Sequence, residues 1–170
     1  MKEWRTKQIS ALIGTDRKSH THHRFGMAWV TFALAVAVHV TDEAMHDFLS
    51  TYNPSVRSIR ARLPFLPLPT FSFGVWLALL ITGIFLLLCL SPFAFRRDSW
   101  LRTVSRPLAI LVGVLNATLH IGSSIYFHRW MPGVYSSPFL LLAALYLLVS
   151  SRARDSIVES WLCIQRRSSP

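Results

Sequence analysis

The chain runs apolar from Phe25 and then turns polar at His39-Val40-Thr41-Asp42-Glu43-Ala44-Met45-His46, which places four ionisable residues at the end of a hydrophobic stretch. Positions 39, 42, 43 and 46 follow the i, i+3, i+4, i+7 spacing of one helical face. Long apolar runs recur further on, and a helix needs about 20 mainly apolar residues to cross a bilayer. Four segments satisfy this: 25–48, 71–91, 107–127 and 133–151. The last is the shortest in apolar core, 139–149, with Pro138 close to its start, so a short or tilted final span is expected. The pattern predicts an all-α, polytopic membrane protein built as a four-helix bundle. A basic arm (1–24) precedes the membrane domain (25–152), and a tail (153–170) follows it.

The polar stripe stands out against that background. An ionisable residue inside a bilayer costs about 2.5 to 3.5 kcal/mol on insertion scales, so such residues persist where they pair, face a cavity or carry function. A second stripe answers the first. In the third span Gly113, Asn116, Ala117, His120 and Ser124 share one face, small residues permitting close helix approach and polar ones facing inward. His39 and His120 stand at similar distances from the starts of their spans, about 20 Å at 1.5 Å per residue, and are expected to meet at one depth. Asp42, Glu43, His46 and His128 should then lie progressively nearer the outer surface, in a polar cleft open to that side.

Composition agrees with the class: 52% of the 170 residues are hydrophobic and 15% charged. The net charge of +10 is explained by its distribution, without nucleic acid. Fourteen of the 18 basic residues fall in the arm, between spans two and three, or in the tail, while Arg57, Arg60, Arg62 and Arg129 fall on the other side. By the positive-inside rule both termini are expected to be cytoplasmic, in a membrane such as the bacterial inner membrane. The first apolar run follows 24 mostly polar residues and shows no small-residue cleavage site, so the first span is expected to remain attached. Cys89 and Cys163 lack Cys-x-x-Cys spacing and read as free thiols.

Other segments read as supporting structure. His20, His22 and His23 read as a solvated or headgroup-facing stretch and not as the site. Four prolines between 52 and 70, at 54, 64, 67 and 69, argue against a regular helix there and suggest an extended linker, with a lid over the bundle as the alternative. Span two carries no ionisable group and reads as lipid-facing scaffold. The tail alternates apolar and charged residues like an interfacial helix.

The same residues carry a family resemblance. The chain resembles the HXXEE family of small integral membrane proteins, whose His-x-x-Glu-Glu motif aligns with His39, Asp42 and Glu43. Asn116 and His120 fit the family's Asn-x-x-x-His element, and Trp130-Met131-Pro132-Gly133 its aromatic-x-Pro-Gly turn. Asp42 departs from the motif, standing where its first Glu would. The resemblance supports the site without naming a reaction.

Three chemistries are compatible with the stripe. Imidazole and carboxylate together suit a divalent transition metal such as Zn or Fe, with His39, Glu43, His46 and His120 as ligands; Glu43-x-x-His46 is the spacing that di-metal bundles turn inward. Acid–base catalysis without metal is the second, a buried carboxyl exchanging protons with a histidine. A proton or ion pathway, or a structural cluster, is the third. The leading expectation is a metal-dependent enzyme acting on a hydrophobic small molecule that enters from the lipid bilayer. His39, Glu43 and His120 are its catalytic candidates, and Asp42 and Asn116 orient ligands or hold substrate. Asp47 and His128 are expected to be solvated.

Overall fold

A buried residue every three or four positions, Phe25, Trp29, Phe32, Val36 and Val40, makes α1 (Lys2–Met45) the spine of the fold. The computed structural model describes the backbone of residues 2–96 and 99–152 and the side chains of 23–96 and 100–152. The tail expected to be an interfacial helix, with Cys163, and the side chains of His20 and His22 lie outside the described residues. Those described form only helices: α2 (Phe48–Arg62), α3 (Phe73–Cys89), α4 (Ser91–Phe95), α5 (Ser99–Leu108), a π-helical segment (Ala109–Leu115), α6 (Asn116–Tyr126) and α7 (Ser137–Arg152).

Three stretches are long and apolar enough to cross a membrane: His23–Met45, Phe73–Phe95 and Trp100–Tyr126. The fourth expected span is a shorter apolar helix, the 16-residue α7, which rises about 24 Å against a hydrocarbon core of about 30 Å. Its start is delayed because residues 132–136 form turns. The third stretch, by contrast, begins before Pro107. That proline removes one backbone donor, and the helix continues through it into the wider π turn instead of starting there.

Packing centres on α1 and α7, whose Leu140, Ala143, Ala144 and Leu147 are buried at helical spacing. Between helices in a bilayer, such contacts rest on close van der Waals fit more than on exclusion of water. Gly113 shows how close: a β-carbon there would overlap the Ala144 methyl and the Phe32 ring. α3 is held at its rim. Trp29 Nε1–H donates to the Leu87 carbonyl at 2.8 Å, but of the α3 side chains only Trp76 is buried.

The proline-rich connection differs from expectation. Residues 48–62 are helical, with Pro54 inside α2, and only the segment from Leu63 to Ser72 is non-helical. A single proline on the exposed side of a helix costs one hydrogen bond but leaves the freed carbonyl outside the core; the cluster of Pro64, Pro67 and Pro69 is what stops the helix. Asn53 binds the segment back onto α2 by donating to the Phe71 carbonyl at 2.9 Å and accepting the Phe71 N–H at 3.1 Å.

Candidate metal centre

α1 presents His39, Asp42 and Glu43 on its buried face, and α6 presents Asn116 and His120. The histidines meet as their helical positions predict, ring centroids 4.9 Å apart and nearly perpendicular. Glu43 Oε1 lies 2.9 Å from His120 Nε2 and 3.6 Å from His39 Nε2. One ligand atom from each of His39, Glu43 and His120 falls within 4.8 Å of the others, so this buried group can hold a metal ion.

The outer nitrogens of both rings are committed to oxygen. His120 Nδ1 is 2.6 Å from the Pro132 carbonyl, which only accepts, so Nδ1 carries the proton. His39 Nδ1 is 2.9 Å from Ser136 Oγ, and that hydroxyl donates to Asp42 Oδ2 at 2.7 Å, so the His39 Nδ1–H is again the donor. Both Nε2 lone pairs therefore turn toward the Glu43 side of the cluster. Asn116 Nδ2–H donates to His39 Nε2 at 3.0 Å, whereas His120 Nε2 and Glu43 Oε1 face each other as two acceptors. That contact is favourable only with a cation on it, either a proton or a metal. Ligating histidines anchored through the other ring nitrogen are a recurring feature of metal sites.

The turn before α7 supplies what spacing alone does not reveal. Asp42 Oδ2 accepts both the N–H (2.9 Å) and the hydroxyl of Ser136, so the carboxylate orients the serine that orients His39. Gly133 has φ +83°, in the left-handed region, and a β-carbon there would lie 2.9 Å from the His120 ring and 3.1 Å from Glu43 Cγ. The only sequence signal for Ser136 is a pair of serines directly before an apolar span; for Gly133 it is the Pro-Gly turn itself. Phe48 covers the remaining side, its ring 5.6 Å from that of His120 and stacked on Trp76 and Tyr52.

His46 does not join the group. α1 ends at Met45, and His46 turns out so that Nδ1 contacts the Asp42 carboxylate at 2.8 Å while the side chain is 47% exposed, its ring against Tyr135. His46 thus meets the stripe at Asp42, one turn back, and not at Glu43. Open space adjoins Asn116 and His120 beside α2, and a second hollow lies beside Ser124, His128 and Trp130, whose ring stacks on Tyr135. Asp47 (φ 51°) and His128 (φ 50°) are exposed turn residues, consistent with solvation.

A family described as "Protein of unknown function with HXXEE motif" matches residues 29–147, which contain every residue of this centre. No curated protein and no solved structure matches.

Proposed function

The chain belongs to the HXXEE family, and we propose that it is a four-span membrane enzyme whose His39, Glu43 and His120 hold one divalent transition metal, Zn or Fe, beside a site for a hydrophobic substrate. The observation that carries this reading is the pair of acceptors at 2.9 Å, His120 Nε2 and Glu43 Oε1, with both histidine Nδ1 protons already given to oxygen. Donor atoms bound at about 2.0–2.1 Å to one ion lie roughly 3 to 3.5 Å apart. The carboxylate–imidazole separations of 2.9 and 3.6 Å bracket that range. Two imidazoles and one carboxylate leave coordination positions open, the pattern of catalytic zinc and non-haem iron sites. The ion would supply a Lewis acid for a carbonyl or for water.

The chain's own residues divide the remaining work. Ser136 and Pro132 hold the two rings in one tautomer, and Asp42 holds Ser136. Asn116 donates to the His39 lone pair that a metal would take, so a loaded centre would lack this one hydrogen bond. For orientation, the distribution of basic residues supports cytoplasmic termini, with α7 as a short fourth span and a bacterial inner membrane as the proposed setting.

A second reading rests on the same 2.9 Å separation, which is also a proton-sharing distance: a metal-free acid–base pair of Glu43 and His120. Elemental analysis separates the two. Protein purified without chelator should carry about one equivalent of Zn or Fe, and His120→Ala should lose it. Absence of metal from carefully handled wild-type protein assigns the centre to acid–base chemistry.

A further inference from the structure

Beside the centre lies a cavity of about 370 Å³ between α2 and α6, lined among others by Thr51, Tyr52, Asn116, Leu119, His120 and Ser123. At about 30 Å³ per water-sized group it accommodates roughly a dozen heavy atoms. We infer that this cavity binds an uncharged amphiphile, a chain or ring system of that size bearing one hydroxyl, with the hydroxyl against Asn116 and the apolar body along Leu119 and Phe127. The proposal rests on the reading of the adjoining centre as a reaction site and names the substrate class for it.

Four observations converge on that class. The lining holds no Lys, Arg, Asp or Glu, so a ligand charged anywhere but at the centre itself would meet no counter-charge. Phe48, Leu119, Phe127 and Met131 give the lining a large apolar share. Leu119 in α6 and Phe127 just past its end are more than half exposed, which would provide entry from the bilayer. The fourth concerns hydrogen bonding. The Asn116 side chain borders the cavity, and among the described residues no donor pairs with its Oδ1, whether its N–H stays on His39 or is released by an ion held there. That oxygen calls for a ligand O–H. Tyr52 and Ser55 do not compete for it, since their hydroxyls already donate to the Pro69 and Thr51 carbonyls. The hydroxyl would therefore be held next to His120, within reach of the centre.

Photolabelling tests this with the full chain in phosphatidylcholine nanodiscs. The probe is a diazirine-bearing dodecanol, compared with the matching dodecanoate and dodecyltrimethylammonium. The alcohol should label segments 48–55 and 116–132 at least fivefold above α3, and the two charged probes should label them less than one-fifth as well. Ser123→Trp and Thr51→Trp fill the cavity from opposite walls. Each should cut labelling at least fivefold while retaining wild-type metal content and thermal unfolding; two variants guard against one failing to fold. Equal labelling of α3, or equal labelling by the carboxylate, overturns the inference. Metal-free wild-type protein that still labels these segments would remove the metal reading and keep the pocket, and metal-replete protein that fails to label them would do the reverse.

Discussion

Glu43 Oε1 and His120 Nε2 face one another at 2.9 Å while the opposite nitrogen of the same imidazole donates to the Pro132 carbonyl, so that two acceptors are pressed together in a buried site. This relationship makes Glu43→Gln informative. The glutamine amide can donate an N–H to His120 Nε2 and satisfy the pair without a cation. The variant should therefore fold with thermal stability close to wild type yet lose at least nine-tenths of its metal. Unchanged metal content by mass spectrometry would remove Glu43 from the ligand set.

Two glycines provide a matched comparison. Gly133→Ala should destabilise by about 1–3 kcal/mol and lower metal content, because φ is +83° and the new methyl meets the His120 ring. Gly122→Ala should be neutral or stabilising by up to about 1 kcal/mol, since the space beside it in α6 is open and alanine is the better helix former. Thermal unfolding in detergent with parallel metal analysis measures both. Equal effects at the two positions would show that the 131–136 turn does not shape the centre.

The contact between α1 and α6 is testable by cross-linking. Cysteines replacing His39 and His120, whose rings are 4.9 Å apart, should join with a short bifunctional thiol reagent in a background lacking Cys89 and Cys163. A pair replacing Ala37 and Leu119 should not, because Leu119 points outward at 58% exposure. Efficient joining of the second pair would mean that the helices face each other differently.

Orientation has its own measurement. Ser55→Cys and Arg96→Cys, both at exposed positions, lie on opposite sides of the proposed membrane. In intact cells an impermeant maleimide should modify the first and reach the second only after lysis. The opposite pattern would invert the bundle and place the cavity in the other leaflet.

What could be read directly from the residues was whatever depends on local repetition. The apolar runs announced helices, three of them long and apolar enough to cross a membrane, and the 39, 42, 43 and 116, 120 spacings announced two polar faces, because the rise and twist of a helix are nearly the same in every context. Equal depth of His39 and His120 followed from the same arithmetic. Tertiary structure decided where that arithmetic stops. His46, just past the end of α1, pairs with Asp42 and stays apart from the cluster of His39, Glu43 and His120, and α2 proved helical through Pro54 because its exposed side tolerates a lost hydrogen bond. Ser136 reaches His39 across 97 residues of chain, and Gly133 lies against His120 through a left-handed turn. No periodicity encodes contacts of that kind; they arise when separate segments pack, and at this centre they hold the two histidine rings in place.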